Sequence, residues 1–495
     1  MRRVFEAGAT PRTSMSESPE DAAPYAAGFR STTREVADVA LAVRGTLPGW
    51  LCGALLRVAP ALFEVGEQRY AHWFDGLARL HRFAVADGRV TYRSRFLRSR
   101  AYEEATRAGR IVYAEFATDP CRSLFGRVQA ILEPTVTDNA VVGVNRIGGE
   151  IVALTETRLP VRFDPCTLET LGVHDFGASV EGSVSTAHPH HDGTRAYTYL
   201  ISFGRRSAYH VHAVDDAGVE RELARIPVER PSYMHSFGMS ERRLVLAEFP
   251  FVVNPLRLYL SGAPFIRNYR WDPARGTTLT AIDKETGAGV GRWTAPPLFA
   301  FHHVNAVERG DTLEIDLVAY DDASVIDALY LARLRGSEPV HAVGRLVRLT
   351  LPAGGGEVSV HTLSDTPIEL PRIDYPRRQG RPYRYVWGNG QAGADFLDSI
   401  VKIDLAGDAA TNARVWREDG AWPGEPVLVR RPGSEREDDG VLLSVVLDAR
   451  AERSFLLVLD AATLAEIARA EAPEIVTLGF HGNFLGTPED GPLHA

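Results

Sequence analysis

The sequence predicts an all-β fold, a seven-bladed β-propeller with a helical and loop dome over one face. Short β-rich runs such as GEIVALTET, RAYTYLISFG, RRLVLAEFPF and GVLLSVVLDA alternate with Gly, Pro and Asp turns almost to the C-terminus. An apolar strand that ends in Asp and runs into a turn recurs at Asp164, Asp283, Asp404 and Asp460, spaced by roughly two, two and one copies of a unit of about 60 residues. At 495 residues the chain exceeds the about 250 to 300 residues at which a single core stops growing, whereas a closed repeat array remains one unit at this length.

Taken in order, residues 1–33 are rich in Ala, Ser, Pro and acids without a period, and are expected to form a disordered lead-in to one propeller domain over 34–495. No stretch approaches the ~20 apolar residues of a membrane span, and no apolar core follows Arg2 and Arg3, so a cytoplasmic protein is expected. The run Phe249 to Trp271 is apolar and aromatic with Arg257, Arg267 and Arg270 interspersed, the composition of a segment lying on a membrane surface. At 324–336 the strands give way to one helical pattern, with Val325, Ile326, Leu329 and Arg333 in helical spacing after a Ser324 cap; it is assigned to the dome. The formal charge of -9 and the scattered basic residues exclude a nucleic-acid footprint. Cys52, Cys121 and Cys166 have no paired spacing, which indicates a reducing compartment and three buried or partly buried thiols. Nothing fixes an oligomeric state.

Histidine carries the chemistry. TAHPHHDG, YMHSFGMS, FHHVNAVE and LGFHGN each set a histidine beside a strand-like run, so a closed fold can bring one imidazole from each to a single point. Four imidazoles without thiolate describe a redox-active transition-metal site better than a structural zinc site. A non-haem iron oxygenase is the leading reading. Spacing alone leaves His188, His190 and His191 open in the first segment, and His302 and His303 in the third.

These segments resemble the carotenoid cleavage oxygenase family, as do LLRVAPALFEVGEQRYAHWFDGLARLHRF, VTDNAVV, GRPYRYVWG and EDDGVLLSVV, from about Thr46 to Gly482. The match is closest to the branch that holds the central-cleavage β-carotene oxygenases and the retinoid isomerohydrolase, and the Ala- and Arg-rich composition suggests a bacterial member. The resemblance implies seven blades, a dome and one axial Fe2+ on four histidines. It selects His188, which follows Ala, and His302, three residues before Asn305, alongside His235 and His481. It also implies that Glu156, Glu369 and Glu425 accept the outer N–H of ligand imidazoles. Phe116, Thr155, Tyr233, Tyr320 and Phe480 stand at substrate-lining positions, and Cys121 stands where animal relatives can carry a lipid, which is not carried over here.

The implied reaction uses dioxygen as cosubstrate to cleave a carotenoid or apocarotenoid double bond to aldehydes, with central 15,15′ cleavage of β-carotene to retinal the leading form. Thr155 replaces the lysine of the stilbene-cleaving branch and argues against a phenolic stilbene. Eccentric apocarotenoid cleavage and oxygen-independent isomerohydrolysis are the alternatives; a carotenoid-binding propeller without activity is disfavoured by the full set of ligands. A carotenoid is drawn from a membrane, so peripheral association through about 249–271 completes the expectation.

Overall fold

The computed structural model describes residues 22–120, 136–176, 182–393 and 396–486. Among them, seven antiparallel blades follow one another around an axis, and inner strands of neighbouring blades touch at several junctions, Gly238–Met239 with His303–Arg309 and Gly143–Ile147 with Gly482–Leu485 among them. Blade one is built on Gly53–Leu62, Leu77–Ala86 and Arg89–Phe96, and blade two on Gly143–Ile147, Glu150–Leu154, Val161–Phe163 and Thr170–Val173. Blade three holds Arg195–Ser202, Ala208–Asp215 and Glu220–Pro227; blade four holds Gly238–Met239, Arg243–Glu248, Thr277–Asp283 and Gly289–Ala295. Blade five, starting at His303–Arg309, and blade six, ending at Ala413–Trp416, share the long strand Ser359–Arg372; its first part pairs with Gly344–Leu351 and its end with Tyr385–Gly390. Blade seven runs from Ala421–Pro423 to Glu466–Glu471.

Both chain ends close the ring. Val43–Gly45 adds an outer strand to blade seven beside Glu466–Glu471. Gly482–Leu485 pairs with Gly53–Leu62 and becomes the inner strand of blade one. Such closure removes the two open edges that an unclosed array would present.

The Asp repeat has a local cause. Asp164, Asp283, Asp404 and Asp460 open the hairpin between the third and fourth strands of blades two, four, six and seven. A carboxylate oxygen accepts N–H groups two or three residues ahead: Cys166 and Thr167 for Asp164, Glu285 and Thr286 for Asp283, Ala406 for Asp404, Ala462 and Thr463 for Asp460. The side chain thereby replaces a missing turn hydrogen bond.

Three expectations need correction. Residues 1–21 of the lead-in lie outside the described residues, but Pro24–Phe29 forms a turn of 3-10 helix in which Tyr25 and Phe29 are fully buried against Trp73, Phe396 and Trp422. Burying two aromatics gains roughly 1.5–3 kcal/mol each, which outweighs the polar composition around them. The helix expected from Ser324 is two short pieces, Ser324–Ala328 and Leu331–Leu334, because Tyr330 is extended (φ -66°, ψ 136°) and bridges to His72. Ser324 is the first helical residue rather than the cap, and its N–H is taken by Asp322 at 2.8 Å. Cys52 and Cys166 are exposed, not buried, and Cys121 lies outside the described residues.

The dome is assembled from Trp73–Asp75, Arg100–Ala108, Phe265–Asn268 and the two pieces at 324–334, which bury apolar side chains in one cluster with Tyr233, Phe299, Phe301 and Phe480. Among the described residues, no helix is long and apolar enough to cross a membrane.

Candidate metal centre

Every blade sends one site residue to the axis. His481 precedes the inner strand of blade one, His188 lies between the two inner segments of blade three, and His235 and His302 sit just before the inner strands of blades four and five. The other three blades supply carboxylates: Glu156 just past the second strand of blade two, Glu369 on the inner strand of blade six, and Glu425 between the inner segments of blade seven. The four histidines are buried, and one ring nitrogen from each falls within 4.8 Å of the others. His190, His191 and His303 are committed elsewhere, to Tyr375 and Phe237, to Asn145, and to Ser236 respectively.

The carboxylates fix the tautomers. His235 Nδ1 meets Glu156 Oε1 at 2.6 Å, His302 Nδ1 meets Glu369 Oε2 at 2.6 Å, and His481 Nδ1 meets Glu425 Oε1 at 2.7 Å. An ionised carboxylate only accepts, so each Nδ1 carries the proton and each Nε2 presents a lone pair inward; this assignment follows from the hydrogen-bond network. His188 has no carboxylate partner among the described residues. The inward nitrogens nearly collide, with His188 and His235 Nε2 2.9 Å apart and His302 and His481 Nε2 3.1 Å apart. Facing lone pairs repel unless a cation lies between them. Burial, then the neighbouring imidazoles, hold His188 well below the usual imidazole range, and burial brings His481 down to about 4 against the pull of Glu425, so both rings are neutral donors at physiological pH. This donor set fits a first-row divalent ion.

Two of the carboxylates are steadied by phenols. Tyr233 donates to Glu156 at 2.9 Å and Tyr320 to Glu369 at 2.7 Å. Burial and then the adjacent carboxylate push both phenols well above their ordinary range, so they remain neutral donors. Glu425 differs. Arg372 grips both its oxygens at 2.8 and 2.9 Å and Gly482 N–H adds a bond at 3.0 Å. Burial alone would raise this carboxyl, but the guanidinium and His481 hold it far below the ordinary carboxylate range.

Two cavities share Phe74 and Val142 in their walls. The first is lined by His235, His302 and His481 with Trp73, Phe301, Tyr320 and Phe480. The second is lined by Phe116, Thr155, Val141 and Phe265. Four of the five expected lining residues therefore border these cavities, whereas Tyr233 borders neither and packs between Phe116 and Phe299 with its hydroxyl on Glu156. Trp73, Phe74, Phe301 and Arg372 were not singled out from sequence. Phe301 adjoins His302, and Trp73 and Phe74 lie inside a segment that already carried the resemblance, so the signal was present for these three.

The sequence matches the family model for retinal pigment epithelial membrane protein over residues 29–486. It is 35% identical to the mitochondrial carotenoid-cleaving dioxygenase of Mustela putorius furo, covering 93% of this chain and 96% of that one. It is 32% identical to the beta,beta-carotene 15,15'-dioxygenase of Mus musculus, covering 90% and 88%. Among solved structures, a cobalt-substituted Synechocystis apocarotenoid oxygenase superposes with a TM-score of 0.81 at 26% identity, covering 94% of this chain and 98% of that one. With the propeller, the axial histidine cluster and these whole-chain similarities in agreement, the chain belongs to the carotenoid oxygenase family, which takes in these carotenoid-cleaving dioxygenases.

Proposed function

We propose that this chain is an iron(II)-dependent dioxygenase that splits a carotenoid or apocarotenoid double bond into two carbonyl products, with the central 15,15′ bond of β-carotene as its target and retinal as its product. The observation that carries the reading is a four-imidazole cluster of which three rings, His235, His302 and His481, line a largely aromatic and apolar cavity. His188, His235, His302 and His481 would hold the iron, which supplies the activation of dioxygen. Glu156, Glu369 and Glu425 orient three of the imidazoles and set their donor strength. Trp73, Phe74, Phe301 and Phe480 present ring faces and edges to a polyene and exclude water from it; a conjugated hydrocarbon offers no hydrogen-bonding group, so shape and aromatic contact are the available means of placing one bond beside the metal. Thr155, in the wall of the second cavity, supplies no cation for a phenolate.

Peripheral membrane association is part of the same reading. Helix Pro255–Leu260 exposes Leu256 (63%), Tyr259 (41%) and Leu260 (68%), an apolar edge that fits delivery of a lipid-dissolved substrate.

Purified, iron-loaded protein in detergent, offered β-carotene and a set of apocarotenals, is expected to consume the polyene and release two carbonyl products that require both iron and dioxygen. A shorter ionone fragment would move the scissile bond. Anaerobic conversion of a retinyl ester to a cis-retinol would replace the oxygenase by an isomerohydrolase.

A further inference from the structure

The three carboxylates are not equivalent, and the difference lies beyond them. Glu156 and Glu369 are contacted by neutral phenols. Glu425 alone is paired with a cation, accepting Arg372 Nε on Oε1 and the terminal nitrogen on Oε2. Its remaining acceptor sites go to His481 Nδ1 and to Gly482 N–H, and Arg372 also donates to the Gly482 carbonyl. Arg57, fully enclosed, braces the same corner by donating to the backbone carbonyls of Glu425 and Phe480, at 3.3 and 3.0 Å, and leaves the carboxylate to Arg372.

Arg372 reaches this position through a local irregularity. Residues 369 and 372 would face opposite sides of a regular strand. The pairing with Tyr385–Gly390 shifts register between Glu369 and Arg372, and Leu370 takes a left-handed φ of 49° in that interval. A β-branched or long side chain is disfavoured there, so surrounding contacts must hold the bulge. Its result is that one strand serves two ligands, Glu369 on His302 and Arg372 on Glu425 and thence His481.

Charge gives the arrangement its consequence. A divalent ion and three carboxylates leave one negative charge in excess, and the buried cations that answer it both lie on the His481 side: Arg372 on the Glu425 carboxylate and Arg57 on its backbone carbonyl, whereas Glu156 and Glu369 meet phenols. A carboxylate already neutralised by a guanidinium draws less strongly on the imidazole N–H, so that imidazole donates less to the metal.

We propose that Arg372 is a positioning residue that makes His481 the weakest donor of the three carboxylate-bonded imidazoles and thereby favours the ferrous over the ferric state. The proposal rests on the metal reading above. Its test uses full-length Arg372→Gln and Arg372→Lys proteins, with retained fold checked by circular dichroism. Cobalt(II) titration reads affinity and the visible ligand-field bands, and air oxidation of the iron-loaded protein in the absence of polyene reads the preference for the ferrous state. Arg372→Gln is expected to shift the cobalt bands, change cobalt affinity by ~10-fold and speed oxidation to the ferric form, while Arg372→Lys, which keeps the charge, returns the oxidation rate most of the way to wild type. A folded Arg372→Gln protein with wild-type bands and oxidation rate would overturn the proposal, as would a Lys variant that behaves like Gln. If the wild-type protein binds no divalent metal, the metal reading itself fails, a result distinct from either.

Discussion

Replacing Glu425 by Gln should harm the protein in two separable ways, because this carboxylate holds a buried ion pair with Arg372 and also bonds His481 of the proposed metal site. It is 1% exposed and accepts four hydrogen bonds, two from Arg372, one from His481 and one from the Gly482 N–H. Glutamine offers one acceptor oxygen and turns a donor NH2 toward groups that also donate, and it leaves the Arg372 guanidinium, 11% exposed, without its counter-charge. Removing one member of a buried ion pair costs about 3–5 kcal/mol, and the slight exposure of Arg372 places the loss near 3 kcal/mol. Loss of the His481 orienting bond should weaken metal binding by a further ~10 to 100-fold. Glu156→Gln is the control. Glu156 is bonded to His235 and to the Tyr233 hydroxyl, which can rotate to accept from the new amide, so its cost to the fold should stay near 1 kcal/mol while metal affinity still drops. Denaturant unfolding of the metal-free proteins and cobalt titration of the same samples separate the two effects. Equal unfolding free energies for the two variants, or wild-type metal affinity in Glu425→Gln, would refute the reasoning.

Other consequences follow from single contacts. His302→Ala should abolish metal binding, whereas His303→Gln, which loses the ring's bond to Ser236 and its contact with Phe249, should keep a full equivalent of metal by elemental analysis and cost about 1 kcal/mol of stability; the reverse pattern would shift the assigned ligand by one residue. Asp192 receives Tyr197 O–H at 2.7 Å and Lys284 Nζ at 3.2 Å, and these bonds outweigh burial and lower its carboxyl from 3.8 to about 2. A depressed carboxyl contributes stability above its unfolded value and loses it as pH falls, so Asp192→Asn should cost about 1 kcal/mol at neutral pH, after discounting for solvent screening, and the gap should close between pH 3.8 and about 2. An unchanging gap in acid unfolding would exclude that origin. At the proposed membrane-facing helix, Leu256→Asp and Leu260→Asp should each weaken liposome binding ~10-fold with little effect on stability, while Leu258→Asp, whose side chain packs against the core, should lower stability instead. Undiminished sedimentation with liposomes in both exposed-site variants would place the contact surface elsewhere.

What could be read in advance and what could not divides along physical lines. The Asp turns were legible because an Asx turn is a local device, written within four residues, and each marks a third-to-fourth strand hairpin. Period-2 apolar runs likewise announce strands wherever they fall. The helix after Ser324 misled because its spacing is truly helical while a single long-range bridge, Tyr330 to His72, interrupts it. Tyr25 and Phe29 escaped notice for a related reason: two aromatics in a polar stretch carry no period, and their burial depends on Phe396 and Trp422, far away in the chain. Tyr320 lines the first cavity as expected while its hydroxyl donates to Glu369, but Tyr233 borders neither cavity: its hydroxyl turns to Glu156, because an unpaired buried charge costs more than a lost aromatic contact.

Arg372 marks the boundary of sequence reasoning most sharply. Strand periodicity places it on the face opposite Glu369, and only the bulge at Leu370 reverses that placement. Bulges depend on pairing with another strand, here Tyr385–Gly390, so no local pattern encodes them. The same dependence on distant pairing governs the whole centre. His481 precedes the strand that closes the ring against Gly53–Leu62, and its N–H bonds to the Val142 carbonyl of the loop leading into blade two. The fourth imidazole therefore reaches the axis only when the last strand is in register, so metal binding and ring closure must reinforce one another: whatever loosens the closing strand weakens the site, and an ion bound to all four histidines holds the ring shut.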